Sequence, residues 1–267
     1  MTFRAIRTLK EVSLIAAEDT RHTSKLLSYY QITTPVISCH EHNEELRINI
    51  IVDKLSQGFD VALVSDAGTP LISDPGYRVV KGVVEAGFQV IPIPGACAAI
   101  AGLSVSALPT DSFIFSGFLN KKQARRKSEL EALKITKSTI IFYESPHRLV
   151  ALIEDILSVM GDRPAMVARE ITKYYEEYLR GRLSYILESL KSRVSIKGEC
   201  ALFVGSHSDT NNEIFSIESS DIDDLIITAL KSSEIKSSKL AKSISQKYNL
   251  PRSEVYERIL DLQSKNL

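Results

Sequence analysis

Glu18, Asp19, Arg21 and His22 fall together in the segment EDTRHT (18–23). His40, Glu41 and His42 share CHEHNE (39–44), and Asp66 stands near the front of SDAGTP (65–70). Carboxylates, imidazoles and a guanidinium grip charged ligands and move protons, and each of these segments follows a short apolar run. Metal ligation is the weaker chemistry. Cys39 and His40 are adjacent, so at a strand end their side chains point to opposite faces, and no second Cys/His pair at ligand spacing occurs elsewhere; no metal is expected. A purely structural use stays open: Thr20, Thr23 and Asp66 can cap helices while Glu18 pairs with Arg21.

The third segment sits in LVSDAGTPLISDPGYRVV (63–80), which packs prolines, glycines and aspartates into one turn. It lacks G-x-G-x-x-G, which excludes an ordinary dinucleotide fingerprint. Gly68 permits positive φ or a close backbone approach, and Pro70 and Pro75 stiffen the loop. Asp74 reads as the N-cap and Pro75 as the first position of the next helix. A rigid loop of bare backbone suits a flat, partly apolar ligand held by main-chain groups; a merely tight turn is the alternative. In PGACAAIAGLSVSALP (94–109), Ala96, Ala98, Ala99 and Gly102 either leave room for a ligand or allow close helix–sheet packing. NKKQARRKSE (120–129) gathers Lys121, Lys122, Arg125, Arg126 and Lys127, the densest basic cluster in the chain. It is either a phosphate contact or a solvated helix face.

The elements that must position these groups alternate along the first hundred residues. VSLIAA (12–17), TPVIS (34–38), DVALV (60–64) and QVIPI (89–93) read as strands, with helical periodicity between them. Crossovers of this kind imply parallel pairing, and apolar rather than alternating strands imply a sheet covered on both faces. In such a sheet ligands bind beyond the carboxyl ends of the strands, so the three charged segments are expected on one edge. SALPTDS (106–112) reads as a junction. FIFSGF, STIIFY, AMVARE, EEYLRG and GECALFV then give a second α/β unit with a mixed sheet and helices near 122–134, 146–160 and 183–191. The expected organisation is an α/β domain over 1–109, a second over 110–206, a polar linker over 207–220 and a helix-turn-helix-like tail over 221–267. The tail carries eight Lys/Arg and seven Asp/Glu, which favours a helical packing or RNA-docking appendage over DNA binding.

Lys+Arg and Asp+Glu both number 33, so any polyanion must be met by a local patch. Three widely spaced cysteines, Cys39, Cys97 and Cys200, argue against a disulfide framework. With no apolar run of membrane-spanning length and no secretory leader, a cytoplasmic location is expected.

AAEDTRHTSKLL, HEHNE, SDAGTPLISDPGYRVV, PGACAAIAGLSVSALPTDSFIFSGFL and FYESPHRL together resemble the ribosomal RNA small subunit methyltransferase I family. That family is a branch of the tetrapyrrole-methylase-like, S-adenosylmethionine-dependent methyltransferases. The resemblance covers nearly all of residues 2–206, and the tail is similar to the family's C-terminal extension. It implies two α/β domains with S-adenosylmethionine in the cleft between them, a homodimer, and methylation of a cytidine ribose 2′-oxygen in the decoding region of 16S rRNA, free or in the small subunit. Carried over by motif, Ala67, Gly68, Thr69 and Ile72 hold the methionine end of the cofactor, and Cys97 and Ala98 approach it. Tyr143, Glu144, Ala168 and Ala201 line the adenosine side. Glu18, Asp19, Arg21 and Asp66 are the candidates for the chemistry, with His42 in reserve and Arg21 better suited to a phosphate than to a proton.

The chain departs from the family's pattern at its start. Members open with a strand and a Pro/Gly turn of the type ATPIGNLED, whereas Met1-Thr2-Phe3-Arg4-Ala5 already reads as the helix that follows. The expectation is a start placed at an internal methionine or an altered chain; a true truncation leaves an unfilled slot and exposed edges in the sheet. The competing functions are a methyltransferase of the same fold acting on a tetrapyrrole or a protein, and an inactive RNA-binding remnant.

Overall fold

Three short parallel strands, β1 (Leu14–Ala17), β2 (Val36–Ser38) and β3 (Val61–Val64), form one sheet in the order β2-β1-β3. The computed structural model of the chain describes residues 1–206, 226, 237–248 and 252–265. Ala17 pairs with both Ser38 and Val64, so the three strands end level and 18–23, 39–44 and 65–70 emerge at one edge. Helices α1 (Phe3–Glu11), α2 (Thr20–Tyr29), α3 (Glu44–Ser56) and α4 (Tyr77–Glu85) cover the sheet. Ile15 and Ala17 pack with Leu9 and Leu27 on one face. Ala16 packs with Ile51, Val79 and Val83 on the other. A strand buried on both faces explains its unbroken apolar run.

QVIPI (89–93) does not form the expected strand; residues 88–97 run without strand pairing. An apolar run becomes a strand only when a neighbour supplies the ladder, and among the described residues β3 pairs with β1 alone. A groove of about 770 Å³ is lined both by Ala62, Leu63 and Val64 of β3 and by Ile93, Pro94 and Gly95 of this segment. Val90 and Ile91 are left exposed.

Past α5 (Ala98–Ser104), β4 (Phe113–Gly117), β5 (Thr139–Glu144), β6 (Pro164–Arg169), β7 (Glu177–Arg182) and β8 (Cys200–Val204) build a second sheet in the order β4-β5-β8-β6-β7. It is mixed: β4 runs parallel to β5, and the other pairs are antiparallel. Side chains alternate between its faces. Ile140, Phe142, Ala165, Val167, Leu202 and Val204 join the core made with α6 (Gln123–Leu133), α7 (Pro146–Met160) and α8 (Leu183–Lys191). Ile141, Met166, Ala168, Ala201 and Phe203 face α5. Pro146 opens α7 behind an extended Ser145 N-cap, as a proline at the first helical position should.

Met1–Lys134 and Ser138–Gly205 form one compact unit, and Ile135–Lys137 with Ser206–Leu267 are grouped as a second. In the second, α9 (Ser237–Tyr248) and α10 (Arg252–Lys265) share a small apolar core of Ile226, Leu240, Ala241, Ile244, Val255 and Ile259. The linker expected over 207–220, and all but Ile226 of the first tail helix, lie outside the described residues.

Candidate functional site

The level strand ends knit the first and third charged segments together. The Asp66 backbone N–H donates to Glu18 Oε2 (3.2 Å), and the Asp19 N–H donates to Asp66 Oδ1 (3.2 Å). Asp19 is the N-cap of α2. Its carboxylate accepts the Arg21 N–H (2.8 Å) and two guanidinium bonds (2.8 and 3.2 Å). Arg21's side-chain hydrogen bond holds the Asp19 carboxyl well below the usual carboxylate range, which makes Asp19 a poor base. In the second segment, Asn43 accepts the His40 N–H (2.9 Å) and Arg47 Nε donates to the Ser38 carbonyl (2.7 Å). His42 lies edge-on to His40, with ring centroids 6.0 Å apart.

The 65–76 loop owes its rigidity to more than its prolines. Leu71 and Ser73 hold φ of 72° and 67° beside Gly68 at 74°, a region that side chains rarely adopt. Thr69 Oγ1 ties the loop to the Ala96 carbonyl (3.1 Å), and Ser65 Oγ to its own Ala67 (3.2 Å). The expected helix start is corrected. The N-cap of α4 is Gly76, not Asp74, and the helix begins at Tyr77, not Pro75. The buried Glu44 carboxylate, reaching over from α3, accepts the Gly76 N–H, so a distant side chain replaces the local cap. Gly76 has φ +124°, and a Cβ there would lie 2.9 Å from Leu63 Cδ2.

Beyond this loop lies a cavity of about 470 Å³. Asp66, Ala67, Gly68, Thr69 and Ile72 form one wall, with Glu18 beside them, and Cys97 and Ala98 enter from the start of α5. Tyr143, Glu144, Ala168 and Ala201 line the second sheet's side. Register explains that side: Ala201 of β8 pairs with Tyr143 of β5 and with Ala168 of β6, so the three form one row across adjacent strands. The Tyr143 hydroxyl accepts the Ala99 N–H (2.9 Å), joining β5 to the first turn of α5. Burial pushes the Tyr143 phenol up to about 12. Glu144 is buried; it accepts the Ser145 N–H (2.7 Å) and lies 3.0 Å from Arg148. Asp19, Arg21 and His42 do not line this cavity, and His22 faces the groove at the β3 edge.

Sequence reasoning missed several residues of the cavity wall. Asp74 lines it; burial raises its carboxyl, the neighbouring Glu18 and Asp66 add to that, and Ser65 works against it. Phe118, half-exposed, places its ring 5.9 Å from Tyr143, and Ile171 and Glu199 close the far side. The apolar text of FIFSGF carried a signal for Phe118 as a ring just past a strand end; nothing local marked Ile171 or Glu199.

The basic cluster divides. Lys121, Lys122 and Arg125 are exposed at the start of α6. Arg126 is corrected: it is buried, with Nη2 2.5 Å and Nε 2.8 Å from Asp155 Oδ2, so it cannot meet a phosphate. Lys127, half-exposed, lies 3.5 Å from the same carboxylate. The small-residue segment divides too. Cys97 and Ala98 face the cavity, while Ala99 and Gly102 pack on β8, where a Cβ on Gly102 would lie 2.3 Å from Phe203 Cζ.

Residues 1–186 match the family described as Tetrapyrrole (Corrin/Porphyrin) Methylases. A protein of Halalkalibacterium halodurans named "Ribosomal RNA small subunit methyltransferase I" is 52% identical over 204 residues, 76% of this chain and 70% of that protein. The chain belongs to the ribosomal RNA small subunit methyltransferase I family, within the tetrapyrrole methylases. A relative of the same name from Synechocystis sp. is 44% identical over 99% of this chain and 94% of its own length. The fold is shared with the uroporphyrin-III-C-methyltransferase of Thermus thermophilus, at TM-score 0.55 and 19% identity over 77% of this chain and 87% of that one. A diphthine synthase matches at TM-score 0.55 and 13% identity, covering 77% and 84%. At those identities the likeness carries the fold and not the substrate.

The cavity fits S-adenosylmethionine, the methyl donor of this family. Its volume is that of a small-ligand site, its loop wall offers main-chain groups on a fixed backbone, and Glu18, Asp66 and Asp74 supply the negative surroundings a sulfonium and an ammonium require. The row Tyr143–Ala201–Ala168, small on one side and aromatic on the other, is flat enough for an adenosine ring.

Proposed function

We propose that this protein methylates the ribose 2′-oxygen of a cytidine in the decoding region of 16S rRNA, using S-adenosylmethionine bound in the 470 Å³ cavity. The observation that carries the reading is the convergence of the family's loop residues and the second sheet's row on one cavity that also presents Glu18 and Asp66. When bound, the cofactor supplies an electrophilic methyl group. Ala67, Gly68, Thr69 and Ile72 hold its methionine end; Cys97, Ala98, Tyr143, Glu144, Ala168 and Ala201 enclose the rest. Asp66, aimed by the Asp19 N–H, would accept the 2′-hydroxyl proton, and Glu18 braces Asp66 through its backbone. Positioning and proton acceptance are the protein's two contributions. Lys121, Lys122 and Arg125 meet phosphates, and Asp19 and Arg21 shape the entry to α2. The working unit is a homodimer in the cytoplasm. No helix among the described residues is long and apolar enough to cross a membrane.

Asp66→Asn tests the assignment. Methyl transfer to small ribosomal subunits should fall by ~10²-fold or more, while S-adenosylhomocysteine binding stays close to that of the wild type. Equal loss of both, or loss of neither, removes Asp66 from the role. Ribose-methylation mapping of 16S rRNA with and without the gene tests the substrate, and an unchanged map sinks it.

A further inference from the structure

The β6–β7 hairpin loop, residues 170–176, is held under unusual constraint. Glu170 and Thr172 occupy φ of 53° and 67°, and such conformations persist only where the surroundings over-determine them. The surroundings here do so. The Lys173 N–H donates to the Glu170 carbonyl (2.9 Å) and the Glu176 N–H to the Lys173 carbonyl (3.1 Å). Lys173 Nζ lies 2.9 Å from Glu170 Oε1 and 3.2 Å from Glu199 Oε2. Glu170 Oε1 accepts the Glu199 N–H (3.0 Å), and the Glu176 carboxylate accepts the Thr172 N–H. All this fixes two rings in water: Tyr174 is 92% exposed, Tyr175 66%, and they meet edge to face at 5.0 Å. The same loop begins at the cavity wall, where Ile171 and Glu199 both line the cofactor site.

We propose that Tyr174 and Tyr175 form a stacking platform for unpaired nucleobases of the RNA beside the ribose being methylated, an inference that rests on the function proposed above. Every base has a π-face, and exposed tyrosines on a fixed loop accept it without ordering anything further. Lys173, the loop's own cation, is engaged by Glu170 and Glu199 and Glu176 adds a further carboxylate, so the loop offers base faces rather than a phosphate site, and the backbone is left to Lys121, Lys122 and Arg125. A second copy of the chain is the competing occupant.

The test compares the wild type with Tyr174→Ala/Tyr175→Ala and Tyr174→Phe/Tyr175→Phe, using small ribosomal subunits isolated without the methyl group. The alanine pair should raise the subunit concentration at half-maximal methylation ~5–150-fold, the loss of one stacked base. The phenylalanine pair should stay with the wild type, and all three should bind S-adenosylhomocysteine alike and sediment alike. If the alanine pair titrates like a wild type that does methylate, the platform falls alone. If it instead dissociates a dimer, the rings belong to a protein interface and the proposal is overturned. If the wild type methylates no subunit, the functional reading falls and takes the platform with it.

Discussion

Arg126→Met separates two readings of the basic helix, a phosphate-binding face and an internal ion pair. The Arg126 and Asp155 side chains are 6% and 3% exposed, and Gln123 Nε2 holds the other carboxylate oxygen at 2.9 Å. Removing the guanidinium leaves the buried carboxylate to Gln123 and the half-exposed Lys127 3.5 Å away, and breaking a buried pair in this way costs about 3–5 kcal/mol. For a unit of this size, that lowers Tm by roughly 6–20 °C. Replacing both partners, Arg126→Met with Asp155→Leu, leaves no orphaned charge and should recover most of the loss. The pH dependence follows from Asp155. Burial pushes its carboxyl up, and the bonds from Gln123 and Arg126 outweigh that and hold it below its ordinary 3.8. The wild-type pair therefore contributes fully above that value and loses its contribution as pH falls through the lowered one. In Arg126→Met desolvation is opposed only by Gln123 and the half-exposed Lys127, so the deficit should shrink on acidification, because a protonated Asp155 tolerates burial. Urea or thermal unfolding of the single and double variants at neutral and mildly acid pH reads this, with subunit binding measured in parallel. A single variant that unfolds like the wild type but binds RNA more weakly would refute the argument.

Gly102→Ala should press a methyl against the buried Phe203 ring; overpacking of about 1–3 kcal/mol, less about 1 gained in helix propensity, leaves a modest loss of stability. The clearer readout is weaker S-adenosylhomocysteine binding by calorimetry, since α5 begins at the cavity. Burial holds the Cys39 and Cys200 thiols up at about 11, so iodoacetamide at neutral pH should label Cys97 alone, and S-adenosylhomocysteine should protect it in mass-spectrometric footprinting. Arg193's hydrogen bond, helped by Arg169's, lowers Glu177 from 4.5 to about 2. Its stabilisation is present above 4.5 and lost as pH falls towards 2, so Glu177→Gln should flatten that acid limb of the stability profile.

The strands of the first sheet and their level ends were legible because buried parallel strands read as unbroken apolar runs and sheet geometry then dictates where loops emerge. The cavity residues Tyr143, Ala168 and Ala201 were legible only through motif text; their meeting depends on an antiparallel register that no local pattern encodes. Asp74 was misread because capping rules weigh nearest neighbours, and the acceptor for the Gly76 N–H is Glu44, thirty-two positions away. Arg126 left a trace that charge density obscured. It lies one turn from Leu130, which is fully buried, and shares its inward face. QVIPI has strand composition and no strand partner among the described residues, and pairing is a property of two segments, not one.

Among the described residues β3 is an edge strand, the position that strand complementation uses. An extended segment, from a peptide supplied in trans or from a neighbouring molecule, would meet that edge beside the trough lined by Ala62, Leu63 and Val64. Asp66, Ala67 and Gly68 border the trough and the 470 Å³ cavity alike. A strand seated there would lie against the same rigid loop that walls the 470 Å³ cavity, so that one segment answers to both surfaces.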